Sequence, residues 1–187
     1  MLTRLLFIPL LAYIVLTPPW TAGVLGLLGE ALGYACLVVA TFGRIWCLTY
    51  IGGYKRSQVI TDGPYSVVRN PLYLFTLIGG VGLGLATEHL AAAVVMLGAF
   101  GVYYPFVVAK EERILEQLHG DAYREYTRRT PRWIPNFRRF TEPETWQVKP
   151  AFIRRSILSS MWFLWLYLAW IVIEQLHALA ILPGWQM

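Results

Sequence analysis

The chain has 187 residues, of which 57% are hydrophobic and 14% charged, with a mean hydropathy of +0.50. So apolar a composition excludes a water-facing globular domain and makes the bilayer the solvent. The net charge of +5 does not point to nucleic acid, because the basic residues cluster beside apolar spans, where anionic headgroups attract them.

Five apolar segments follow one another, at about 5–16, 24–42, 72–86, 90–109 and 157–182, against the roughly 20 residues that a helical span needs. The first and third are short, so their ends must borrow flanking residues or be tucked against neighbours. Arg4 before the first run has the shape of a secretory signal. No small-x-small cleavage site follows, only Pro18-Pro19-Trp20, and a retained first helix is expected.

The connections alternate in charge. Residues 17–23 carry none and Thr87-Glu88-His89 carries one acid, whereas 53–70 holds Lys55, Arg56 and Arg69, and 110–155 holds most of the remaining Lys and Arg. The positive-inside rule makes both basic connections cytoplasmic. Five spans then put the N-terminus inside and the C-terminus on the opposite side. The fold class expected is all-α: a multi-pass membrane protein of about five transmembrane helices, completed by a cytoplasmic amphipathic helix and loop.

Within the spans, Glu30 reads as interfacial near the outer end, and Arg44 near the inner end can snorkel to the headgroups. Cys36 and Cys47 lack a C-x-x-C pattern and read as small packing residues; no metal site is expected. Gly79-Gly80-Val81-Gly82-Leu83-Gly84 lets another helix backbone approach closely. Residues 111–129 repeat Ile114, Leu115, Leu118, Ala122 and Tyr126 at helical spacing among charges, which predicts an amphipathic surface helix that Gly120 divides. Thr130-Pro131-Arg132-Trp133-Ile134-Pro135 cannot continue a helix and reads as a rigid loop along the membrane surface, with Trp133 at the interface. The last span carries Trp162, Trp165, Tyr167 and Trp170, and near its outer end Glu174 and His177, both read as interfacial. No internal repeat or second domain is visible. Residues 1–187 form one domain, with a core motif region at 50–136 and an additional C-terminal helix at 152–182.

The chemistry-bearing residues fall in two stretches. Arg69 and Asn70 open the third span and Glu111 and Glu112 follow the fourth, so an antiparallel hairpin brings both pairs to one membrane face. A guanidinium, an amide and two carboxylates at the water–lipid boundary can bind a zwitterionic or cationic cofactor while an apolar substrate enters from the other side. Tyr65, Tyr73, Tyr123 and Tyr126 add aromatic faces that attract a cation within about 6 Å. A plain reading stands beside this one: Glu111 and Glu112 complement the dipole of a surface helix that they begin, with Asn70 an N-cap and Pro71 an N1 residue.

Gly63-Pro64-Tyr65-x3-Arg69-Asn70-Pro71-x-Tyr73, then Glu111-Glu112-Arg113-x-Leu115, Tyr123-x2-Tyr126 and the Pro131-to-Pro135 loop, resembles the isoprenylcysteine carboxyl methyltransferase and phospholipid N-methyltransferase superfamily of integral membrane enzymes. The resemblance implies S-adenosylmethionine as cofactor, with S-adenosylhomocysteine as product, held against Tyr65, Asn70, Pro71, Tyr73, Glu111, Glu112, Tyr123 and Tyr126. It implies methyl transfer to a lipophilic or amphipathic acceptor at the cytoplasmic membrane face, without a metal. Arg69 is the candidate for steering the nucleophile, and Glu112 for cofactor orientation or proton acceptance. The carboxyl methyltransferase branch usually has histidine where this chain has Asn70, and family chains commonly end before a helix such as 152–182. That helix either walls the substrate cavity or forms a homodimer contact. Membrane lipids are the other expected partner, and nucleic acid is not one. The rival readings are an NADPH-dependent enzyme like the sterol reductases, which resemble the same core, and a non-enzymatic helical membrane scaffold.

Overall fold

The computed structural model describes residues 17, 23–54, 57–179 and 181–182. Within them the order is α1 (Val24–Ile51), α2 (Pro64–Val67), α3 (Pro71–Ala86), α4 (Leu90–His119), α5 (Asp121–Arg129), a 3-10 turn at Phe137–Arg139, α6 (Pro150–Ser160) and α7 (Trp162–Ala178), with no strand among the described residues. Helices α1 and α4 are long and apolar enough to cross a bilayer, as is Pro150–Ala178, which α6 and α7 share across Met161; α3 is a shorter apolar helix. Four of the five expected segments are thus present. The first, at 5–16, lies outside the described residues, as do Arg4, Pro18-Pro19-Trp20, Lys55, Arg56 and the last five residues.

Helix α3 has 16 residues, about 24 Å of helix against a hydrocarbon core of about 30 Å. It is the middle of the bundle, packed against α1, α4 and α7. Its four glycines point at all three neighbours. A methyl group on Gly82 would lie 2.6 Å from Cys36 Cβ of α1, one on Gly84 2.5 Å from the Ala93 amide nitrogen of α4, and one on Gly79 2.7 Å from the Phe163 ring of α7. Gly33 of α1 reciprocates, since its missing Cβ would strike the Ala86 backbone. Apolar lipid gives helices little hydrophobic reason to associate, so this close approach of backbones supplies the packing. The outer faces are lipid-like: Leu25, Val102 and Phe106 are 76%, 70% and 74% exposed.

The expected surface helix at 111–129 is corrected. Helix α4 runs unbroken from Leu90 through Pro105 to His119, so Glu111 and Glu112 lie inside a helix that continues beyond the apolar span. They do not start a helix. The chain turns only at Gly120, whose φ of +50° a side chain rarely adopts, and only α5 is a separate amphipathic helix, with Tyr123 and Tyr126 on its buried face.

One further expectation changes. Arg44 turns inward: its guanidinium donates to Thr76 Oγ1 and lies 5.9 Å from the Phe163 ring centroid. The end of α1 is seven residues away, about 10 Å by helical rise, and Thr76 is the nearer polar group. Glu30 accepts a 2.7 Å hydrogen bond from Tyr167, tying α1 to α7. His177 is buried, while Glu174 is partly so. Trp162 and Trp165 are exposed, but Trp170 is buried edge-on against His89.

Candidate functional site at the polar end of the α3–α4 hairpin

The entrance to α3 is built from a tight turn. Gly63 has φ +58°, its amide donates to the Thr141 carbonyl at 2.7 Å, and a Cβ there would strike the Tyr50 ring. One helical turn, α2, follows and is buried throughout, with Ser66 donating to the Gly63 carbonyl and accepting from the Thr141 amide. Pro71 then starts α3 at its first turn, where the missing amide hydrogen costs nothing. Asn70 stands at the N-cap position but makes no capping bond. Its side-chain amide instead donates at 3.3 Å both to Glu112 Oε1 and to the Arg132 carbonyl.

Glu112 is the knot of the site. Oε1 pairs with Arg69 at 3.2 Å and Oε2 with Arg132 at 2.7 Å, in surroundings that leave the Glu112 side chain 15% exposed. Three chain segments meet at this one carboxylate: the entrance to α3, the extension of α4, and the loop after α5. Backbone bonds fasten the same loop, from the Arg69 amide to the Pro131 carbonyl at 2.8 Å and from the Asn136 amide to the Val67 carbonyl at 3.0 Å. Arg132 was not among the residues singled out from sequence. Its signal was position, between two prolines that hold the loop rigid.

Arg69, Asn70, Pro71, Tyr73, Glu111, Glu112, Tyr65, Tyr123 and Tyr126 all line one cleft, together with Gln58, Val59 and Ile60 from the connection after α1. The last three carry no sequence signal, since nothing in an extended connection says which wall it will form. Tyr73 donates to Glu111 Oε2 at 2.7 Å, and Tyr126 donates to the Tyr65 carbonyl at 2.9 Å. The Tyr65 hydroxyl is buried without a hydrogen-bond partner among the described residues. Burial, with lesser contributions from neighbouring groups, pushes the Tyr65, Tyr123 and Tyr126 hydroxyls well above the ordinary tyrosine value, so all three are neutral donors at physiological pH. The apolar side of the cleft comes from Ile51, Leu72 and Leu115. None of its lining comes from α6 or α7, so the C-terminal helix does not wall this cleft. Among the described residues no group of three or more His, Cys, Asp or Glu is placed to hold a metal ion.

The profile of the phospholipid methyltransferase family matches residues 21–122, more than half of the chain. The chain belongs to this family. The match takes in α1, α3 and α4 with both acidic and arginine elements of the site, and ends before Tyr123, Tyr126 and the Arg132 loop. The cobalt-zinc-cadmium resistance protein CzcN of Cupriavidus metallidurans is 41% identical over 75% of this chain and 61% of its own length. The nickel-cobalt-cadmium resistance protein NccN of Alcaligenes xylosoxydans xylosoxydans is 37% identical over 71% of this chain and 62% of its own. The protein-S-isoprenylcysteine O-methyltransferase B of Arabidopsis thaliana is 32% identical over 58% of this chain and 55% of its own. The chain therefore spans about three fifths of the length of the two resistance proteins. No solved structure matches it. The resemblance to the joint isoprenylcysteine and phospholipid methyltransferase superfamily holds on these findings.

Proposed function

We propose that this family member methylates a lipophilic or amphipathic acceptor, using S-adenosylmethionine, at the cytoplasmic face of the membrane. The observation that carries the reading is the convergence of Asn70, Tyr73, Glu111, Tyr65 and Tyr126 on one cleft at the polar end of apolar helices. The donor set suits a ligand bearing an ammonium and a sulfonium: a carboxylate already oriented by Tyr73, several aromatic faces, and a buried hydroxyl without a partner in Tyr65. When bound, that cofactor supplies a methyl group already activated on a positively charged sulfur.

The residues then have distinct tasks. Glu111, held by Tyr73, receives the ammonium. Arg69 and Arg132 hold Glu112 and through it the three segments of the wall; Arg69 steers a nucleophile and Glu112 accepts a proton only if an arginine first lets go. Ile51, Leu72 and Leu115 exclude water and face the acceptor. Alignment of this kind supplies up to about 7–11 kcal/mol of a barrier, and fixed dipoles add to it.

Calorimetry of the purified protein with S-adenosylmethionine and S-adenosylhomocysteine tests the proposal. Micromolar binding is expected, weakened about tenfold or more in Glu111→Gln. Folded protein that binds neither compound would sink it and leave a helical scaffold tied together by Glu112, the reading that the doubly paired carboxylate also suits.

A further inference from the structure

Beside the cleft lies a second groove, formed by the end of α5 and the loop that carries Arg132. Its lining includes Arg69, Arg128, Arg129, Arg138 and Arg139 and no carboxylate. Two acids reach these arginines: Glu112 holds Arg69 at 3.2 Å, and Glu125 is shared between Arg128 at 3.8 Å and Arg129 at 2.7 Å, while the Arg138 side chain pairs with no described residue. Such a surplus of positive charge is built to face an anion. Two large apolar side chains stand among these arginines in the open, Ile134 at 81% and Phe137 at 77% exposure. A soluble anion gives them nothing to contact, whereas a lipid offers both a headgroup and acyl chains.

The depth of the loop agrees. Trp133 packs edge-on against Phe100, with ring centroids 5.8 Å apart. Phe100 lies ten residues before Lys110 in α4, about 15 Å down the helix, on the stretch whose neighbours Val102 and Phe106 form the exposed apolar surface. Trp133 thus seats the loop on a span.

We propose that residues 128–139 dock on anionic phospholipid headgroups of the adjoining leaflet, with Ile134 and Phe137 entering the acyl region. The docked loop is the one that places Arg132 on Glu112 and fastens Val67 and Arg69 through its backbone. Lipid contact therefore stabilises the wall of the cleft. The inference does not require the chain to be a methyltransferase.

Hydrogen exchange of the backbone over residues 132–140 tests it, with the whole chain in nanodiscs of phosphatidylcholine alone or mixed with phosphatidylglycerol. Exchange is expected to be severalfold slower with phosphatidylglycerol, and the difference to vanish in high salt and in the Arg138→Gln/Arg139→Gln variant. The Ile134→Ser/Phe137→Ser variant should shrink it as well, while Arg154→Gln/Arg155→Gln, exposed basic residues of α6, should leave it intact. Equal exchange in both lipids overturns the proposal, as does a phosphatidylglycerol effect that survives Arg138→Gln/Arg139→Gln. Equal protection by millimolar inorganic phosphate in phosphatidylcholine nanodiscs also overturns it, leaving an anion site that does not read lipid.

Discussion

One carboxylate, Glu112, pairs with Arg69 through one oxygen and with Arg132 through the other, and the Asn70 amide donates to it as well. Removing the charge strands two guanidiniums in a partly buried place. Breaking a fully buried pair in this way costs about 3–5 kcal/mol; the residual exposure here lowers the expected loss for Glu112→Gln to about 2–3 kcal/mol. Thermal unfolding in detergent should register this drop, and an unchanged melting temperature would show that the knot carries no stability. Glu111→Gln leaves those ion pairs alone. The two neighbouring acids are therefore expected to separate in experiment, one governing stability and the other ligand affinity. Sequence already singled out both, but not which was which, because adjacent helix positions face different neighbours and the Arg132 loop selects between them.

Among the helices, α3 depends on having no side chains where its three neighbours approach. A Cβ on Gly82 meets Cys36 and the Gly33 carbonyl at 2.6 and 2.9 Å, while one on Gly29 meets nothing within 4 Å. Gly82→Val should force α1 and α3 apart and abolish folded protein on size-exclusion chromatography. Gly29→Ala should be neutral or raise stability by about 0.5–1 kcal/mol, since alanine loses less backbone entropy in a helix. Similar losses for both variants would mean that the glycines matter for flexibility and not for close approach. The glycine run was legible in sequence as a packing surface. That it serves three helices was not, because spacing along one helix says nothing about how many neighbours surround it.

Stability of the molecule as a whole should fall in alkali. Tyr65, Tyr123 and Tyr126 are held neutral in the fold by burial, whereas tyrosine in an unfolded chain ionises near pH ~10. Below that pH the phenols are neutral in both states and contribute no pH dependence. Above it the unfolded chain gains by ionising first, so stability declines as pH rises towards the raised native values. Melting temperature should be flat in this respect up to pH ~9 and fall beyond pH ~10. Tyr126→Phe removes the bond to the Tyr65 carbonyl, at a cost of about 0.5–1.5 kcal/mol, and should make the alkaline fall shallower. A fall just as steep in the variant would assign it to other groups.

By itself the sequence determined the solvent, the helical class and the family, because composition, apolar run length and the Arg69-Asn70-Pro71 and Glu111-Glu112 motifs are all local in the chain. Tertiary structure alone decided that Glu111 and Glu112 lie within a continuous α4, that Arg44 faces inward, and that Arg132 joins Glu112 across the site. Each of these depends on which partner is nearest in space. A guanidinium or carboxylate leaving water takes the closest opposite charge or hydrogen-bonding group, and distance along the chain does not encode which group that is.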